Sequence, residues 1–423
     1  MAKGKFHPRY SLESLSQNDQ LEDKKGMLFG GDSLHDMSHI QLIGRAVDTI
    51  RQLYKGELLG GLVETLQNLI DNGEENFSFF ENPDVWHLSK LGKSSGFQYK
   101  LQNNFIGFTM LIKRFHASVD KCDSHLKIEV SPQAIRRIGP KKIQAELNKL
   151  AAQVLKDFKP AGIAIHLAVD VQGWEFPENF ETRFITHARV KRKHTGIAAM
   201  RNYGTVDISN FAVIYGNTET YTVGLAGSLQ VCIYRKDIQA NRDDKVEYHQ
   251  RSWIEQSGES FDKEKPVWRI ELRFHHSVIR EIAEGMKKEI ESFEQVIAYL
   301  TDIWRYGLKR NRLELTKTYI DPFWQILMQD VEFLVPAAGV NIRRAKKQSS
   351  QGIEKNLALV IGNLVSILTR MGFNPPRIMK NLQRLGCYHQ IIMYYESRGK
   401  TQADLYMDVV RGHTQRLLTG KAA

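Results

Sequence analysis

The chain has 423 residues, 42% of them hydrophobic, and its 59 Lys and Arg against 48 Asp and Glu give a net charge of +11. That length and apolar content suffice for a sizeable core and suggest two or three domains, whereas no run approaches the roughly 18 apolar residues of a membrane span. The positive excess favours a polyanionic partner such as DNA or RNA; its densest clusters are RIGPKK (137–142), RVKRKH (189–194) and RRAKK (343–347), each of which also reads as a solvated face. The opening MAKGKFHPRY has no apolar run that could serve as a secretory signal, so a soluble, cytoplasmic protein without a membrane partner is expected.

Residues 1–27 are polar and aperiodic and read as a flexible tail. Ile40, Ile43, Val47, Ile50 and Tyr54 recur at helical spacing, which predicts a helix over about 38–54; GELLGG (56–61) breaks it before a second helix. Residues 28–95 therefore read as a small helical N-terminal region. From 96 to 276 strand-like runs (HLKIEV, IAIHLAVD, LQVCIY, WRIELRF) alternate with one amphipathic helix over 140–157, whose apolar positions include Ile143, Leu147, Leu150, Val154 and Leu155. Beyond 277 the helical period returns: Val278, Ile282, Met286, Phe293, Ile297, Leu300 and Trp304 form one stripe, and the apolar run 357–371 stops at Gly372 ahead of Pro375 and Pro376. The fold class expected is α+β, a central mainly antiparallel sheet with helical N- and C-terminal extensions. Cys122, Cys232 and Cys387 match no zinc or redox spacing and read as reduced structural thiols.

Successive side chains of a strand point to opposite faces, so each strand-like run splits in two. The apolar halves are Leu126, Ile128 and Val130; Ile163, Ile165, Leu167 and Val169; Leu229, Val231 and Ile233; and Trp268, Ile270, Leu272 and Phe274. If the four runs share one sheet, with the helix of 140–157 on its apolar side, the other face collects Glu129, His166, Asp170, Tyr234, Lys236, Arg269, Glu271 and Arg273. Histidine plus carboxylates can ligate Mg²⁺ or Mn²⁺. A tyrosine hydroxyl can act as a covalent nucleophile, and a lysine beside it can stabilise a phosphate or protonate a leaving group. A solvated sheet face with ordinary Arg–Glu pairs would show the same alternation.

LKIEVSP (126–132), IHLAVD (165–170), TVGLAGSLQVCIYRKD (222–237) and VWRIELRF (267–274), in this order, resemble the Rep_trans family of rolling-circle replication initiators of plasmids and filamentous phages. YLTDIWRYGLKR (299–310) and DPFWQ (321–325) look like the helical extension of phage-type members. The resemblance implies a Rep-like (HUH) nuclease architecture with a catalytic nicking domain over 96–276. It makes Tyr234 the nucleophile, Lys236 its companion, and Asp170 and Glu271 metal-binding acids. His166 stands where the family often has an acid, and Glu129 matches an acid of some members. The implied activity is metal-dependent, site- and strand-specific nicking and rejoining of single-stranded origin DNA through a 5′-phosphotyrosine, with Mg²⁺ or Mn²⁺ as cofactor and a host helicase and polymerase as partners. Arg269, Arg273, Arg192 and Lys193 would hold DNA. Helices of 340–371 and 377–396 are the candidates for origin recognition or homodimer formation. The alternatives are a relaxase of a conjugative or mobilisable element, and a non-catalytic DNA-binding regulator.

Overall fold

A computed structural model describes residues 27–30, 33–79, 84–92, 96–113, 124–188, 190–194, 220–316, 319–345, 350–396 and 400–420. The tail read over 1–27, Met27 apart, and Cys122 lie outside the described residues. β1 (Met27–Gly30) and β2 (Ser33–Asp36) form a two-stranded ribbon. β3 (Gln41–Leu58), β4 (Asn76–Ser78), β5 (Val85–Lys90), β6 (Tyr99–Asn103), β7 (Phe108–Ile112), β8 (Leu126–Val130) and β9 (Leu155–Gln172) enter one large sheet. β10 (Phe184–Thr186) stands apart, while β11 (Lys191–His194), β12 (Thr220–Val223), β13 (Leu229–Arg235) and β14 (Trp268–Phe274) complete that sheet. Its eleven strands follow the order β11-β12-β13-β14-β9-β3-β8-β7-β6-β5-β4, and the pairings along it are antiparallel. The α+β class with a mainly antiparallel sheet therefore holds.

The four strands read from the sequence are β8, β9, β13 and β14, and their apolar halves lie in one core with Ile143, Leu147 and Leu150 of the helix Pro140–Ala152. Two boundaries move: β9 begins at Leu155, where the helix was expected to continue, and β13 ends at Arg235, so that Lys236 opens a helix instead of closing a strand.

The helical reading of 38–54 is wrong: this stretch is β3, inserted between β9 and β8 near the middle of the sheet. Its pairing with β9 slips between Leu42 and Gly44 and between Val47 and Thr49, so Ile43 and Asp48 are extra residues in bulges. Each extra residue lengthens a two-residue repeat to three, and the mixed spacing of Ile43, Val47, Ile50 and Tyr54 imitates a helix. Of the helical N-terminal region only Leu62–Asp71 is an α-helix among the described residues; β4 to β7 build the sheet's far edge.

The residues after 276 do not form a separate helical domain from the start. Trp304, Leu308, Phe323 and Trp324, on the helices Leu300–Arg310 and Pro322–Gln329, belong to the same core as the strands. Gly307 lets the first of these helices lie close to β14, since a Cβ there would stand 2.6 Å from Leu272 Cδ1 and 2.9 Å from Phe274 Cζ. β15 (Asn311–Leu313) pairs with β10 within this region. The compact unit runs through Ala345, and a second begins at Lys346. The second unit's helices, Ser350–Arg370, Pro375–Gln383, Tyr388–Glu396 and Gln402–Thr419, enclose their own core of Ile378, Leu382, Ile391, Leu405 and Val409. The break read at Gly372 is real: Gly372 is left-handed (φ 78°) and Asn374 caps the Pro375 helix by accepting from the Arg377 N–H. Among the described residues no helix is long and apolar enough to cross a membrane.

Candidate active site

Register brings the predicted polar residues into adjoining rows. Tyr234 faces Arg269, which faces Asp170; Cys232 faces Glu271, which faces Ala168; Gln230 faces Arg273, which faces His166. On β3 the row continues with Gly44, Ala46 and Thr49. The bulge at Asp48 sets Asp48 and Thr49 side by side against His166, which is how β3 places a carboxylate beside this row. The helices Lys236–Arg242 and Val246–Ser257 cross over the face and leave a cavity of about 240 Å³, lined by Asp48, His166, Tyr234, Lys236, Glu271 and Arg273 among others.

Glu271 is the hub. It takes Arg273 on both oxygens (Nε to Oε1 2.7 Å, Nη2 to Oε2 3.0 Å), accepts the Tyr234 hydroxyl at 3.1 Å, and lies 3.2 Å from His166 Nδ1. Burial by itself would raise its carboxyl, but Arg273 and then His166 hold it well below 4.5. Tyr234 moves the other way: burial and the Glu271 charge push its hydroxyl well above 10, so the resting side chain is a neutral phenol donating to a carboxylate. His166 is lowered from 6.5 by burial, with Glu271 opposing, and is neutral at neutral pH.

Asp170 has a different surrounding from the one its sequence position suggested. Arg269 grips it with Nε to Oδ1 at 2.6 Å and Nη2 to Oδ2 at 2.7 Å, and the Trp253 indole donates to Oδ2 at 2.8 Å. Gly44 permits this packing, because a Cβ there would sit 3.1 Å from the Trp253 ring and 3.2 Å from Asp170 Oδ2. Burial would raise the Asp170 carboxyl, but Arg269 and Trp253 keep it below 3.8. The third nitrogen of Arg269 donates to Asp48 Oδ1 at 2.6 Å.

Among the described residues, the group able to hold a metal ion is Asp48, His166 and Glu271, each offering a ligand atom within 4.8 Å of the others. Two carboxylates and an imidazole suit Mn²⁺ and, less readily, Mg²⁺. Of the four ligands inferred from sequence, His166 and Glu271 are therefore in the cluster. Asp170 is outside it, its oxygens held by Arg269 and Trp253. Glu129 is outside it too: it lies on β8, two strands from β9, paired with Lys127 at 2.8 Å and Arg51 at 3.4 Å. Asp48 was missed because β3 was read as a helix.

Lys236 is buried at the start of its helix with Nζ 2.9 Å from Gln239 Oε1, and burial followed by the Arg269 charge lowers it to about 8. The sequence also missed the roof helix, whose His249 and Trp253 are buried four residues apart; burial and then Lys236 push His249 down to about 3. Cys232 is fully buried and raised by that burial to about 11, so it stays a thiol. Arg192 and Lys193 fall on the edge strand β11, opposite Thr222 and Tyr221 and two strands out from Tyr234.

No family model matches the sequence. The chain is 32% identical over 425 residues, covering 95% of each partner, to the uncharacterized protein ORF430 of Pseudomonas phage Pf1. At that identity and coverage, the chain belongs to the same family as this phage-encoded protein.

Proposed function

We propose that this protein is a phage replication initiator that nicks and rejoins one strand of origin DNA through Tyr234. The observation that carries the reading is the Tyr234 hydroxyl, hydrogen-bonded to Glu271 in an open cavity beside Asp48, His166 and the cations Arg269, Arg273 and Lys236. The resemblance of the four strands to the Rep_trans initiators and the phage-encoded relative point the same way.

Tyr234 Oη forms a bond to the scissile phosphorus while the P–O3′ bond breaks, giving a 5′-phosphotyrosine and a free 3′-hydroxyl. The phenol proton passes to Glu271, an uphill transfer in the resting site that becomes favourable as the oxygen bonds to phosphorus. Protonated Lys236 supplies the proton that the departing 3′-oxygen needs, and Arg273 and Lys236 offset charge on the phosphoryl oxygens. Asp48, His166 and Glu271 would hold a Mg²⁺ or Mn²⁺ ion, which when bound would supply Lewis-acid polarisation of the phosphodiester. Because the covalent link conserves the bond, rejoining needs no ATP; meanwhile the 3′-hydroxyl primes a host polymerase behind a helicase.

The test is a denaturing gel of the protein incubated with Mn²⁺ and hairpin-forming single strands tiled from the genome that encodes it. A metal-dependent DNA–protein adduct that disappears in Tyr234→Phe is the expected result. An adduct that persists in Tyr234→Phe, or none with any strand, overturns the reading.

A further inference from the structure

The sheet face that carries Tyr234 continues past it into a second cleft. His166 and Ala164 are successive same-face residues of β9, about 6.6 Å apart along the strand; His166 lines the first cavity and Ala164 lines another of about 380 Å³. β3 repeats the pattern, with Thr49 in the first cavity, Lys55 in the second, and Arg51 between them lining both.

The second cleft is basic. Arg51, Lys55, Lys113, Lys127 and Arg280 line it, and Glu291 is the acid among its described lining residues. Adding Glu129, which pairs with Arg51 and Lys127, and Glu284, 3.9 Å from Arg280, leaves five cations against three carboxylates. His275 and His276 contribute no charge at neutral pH: burial and neighbouring cations lower both, His276 to about 4. A half-buried aromatic ring, Phe97, forms part of the wall, with Lys127 Nζ 5.4 Å from its centroid. Cations along a groove with an aromatic ring among them are what a single-stranded nucleic acid requires, the cations for its phosphates and the ring for a base. The volume is that of a small-molecule site, which an unstacked nucleotide fills and a duplex does not.

We infer that this cleft is the track for the single-stranded DNA flanking the scissile phosphate, with Lys55, Lys113 and Arg280 on its backbone and Phe97 under a base. The inference rests on the nicking reading for which strand is bound, and it makes the substrate a single strand several nucleotides long that passes from one cavity to the next at Arg51.

The experiment measures fluorescence anisotropy of a labelled oligothymidylate of about 12 nucleotides, within known single-strand site sizes, titrated with full-length protein in EDTA across a salt series. Losing two phosphate contacts in Lys55→Gln/Lys113→Gln should reduce the steepness of log K against log salt by about 1.4 and weaken binding about 25-fold near 0.1 M salt, from roughly 0.7 counterions per phosphate. Each single variant should give about half the slope change, which keeps the test valid if the double variant folds poorly. Unchanged affinity and slope overturn the inference, as does equally tight binding of a duplex of the same length. Adduct formation by the wild-type protein is scored separately. An adduct with slopes unaffected by the lysine variants discards the track and keeps the nicking reading; slopes that fall as expected without any Tyr234 adduct keep the track and discard nicking.

Discussion

Replacing Asp170 by alanine should loosen the whole buried cluster around Tyr234, not merely remove a functional group. Its carboxylate holds two of the three Arg269 nitrogens and the Trp253 indole, and both Asp170 and Arg269 are buried. Breaking one member of a buried pair leaves an uncompensated charge at a cost of roughly 3–5 kcal/mol. Asp48, still bonded to Arg269 Nη1, keeps the cost at the lower end. The lost indole hydrogen bond adds about 1 kcal/mol. A net loss near 4 kcal/mol corresponds to a fall in Tm of about 5 °C for a cooperative unit that runs to Ala345. Asp48→Asn should be milder, because its side chain is 17% exposed and Arg269 retains Asp170; it should instead weaken Mn²⁺ binding. Melting followed by circular dichroism, with Mn²⁺ titrated calorimetrically into the same samples, separates the two roles. The deficit also has a pH signature. The folded Asp170 pKa lies below 3.8, so its stabilisation is complete above 3.8 and disappears as the pH falls through the folded value. The Asp170→Ala deficit should accordingly be constant through neutral pH and shrink in acid below that window. An Asp170→Ala protein that melts like wild type but no longer binds Mn²⁺ would refute the brace and restore Asp170 as a ligand.

Lys236, lowered to about 8, should act in its protonated form, so kcat/KM for strand cleavage should decline above about pH 8. Lys236→Met should cost about 10²-fold in rate and remove that alkaline limb; a limb that survives in the variant assigns it to another group. Residues 1–345 expressed alone should unfold cooperatively in calorimetry, whereas a chain cut after 276 loses Trp304, Phe323 and Trp324 from the core and should fail to yield a monodisperse protein. Equal behaviour of the two truncations would contradict the position of the unit boundary.

The strands that carry the site were legible because each has an uninterrupted two-residue alternation. In β14, Trp268, Ile270, Leu272 and Phe274 leave Arg269, Glu271 and Arg273 opposite, and β9 and β13 behave the same way over the residues read. β3 was not legible, since bulges at Ile43 and Asp48 shift its parity within one strand and no alternation survives across them. The helix Val246–Ser257 escaped because it buries only a narrow stripe, His249 and Trp253, beneath a largely polar surface. The boundary after 276 was misplaced for another reason: a change of period from two to helical marks a change of element, while a domain ends where the core ends, and the core here extends to Ile342.

The same distinction governs the carboxylates. Which face a residue occupies follows from its own strand, so Asp170 and Glu271 could both be placed beside Tyr234 from the sequence. What each does there depends on groups delivered from elsewhere in the chain. Trp253 comes from 83 residues away and Asp48 from a bulge in a strand whose alternation is broken, and together with Arg269 they make Asp170 a brace. Glu271 keeps a role toward Tyr234 because Arg273, two residues along the same strand, leaves room for the phenol and the imidazole on the same two oxygens. The three carboxylates Asp48, Asp170 and Glu271 then stand against Arg269, Arg273 and protonated Lys236, a nearly neutral site at rest. In such a site a phenolate at Tyr234 would be an uncompensated fourth negative charge, so burial and the Glu271 charge both keep the hydroxyl protonated at rest, and on the nicking proposal it would give up that proton only as its oxygen bonds to phosphorus.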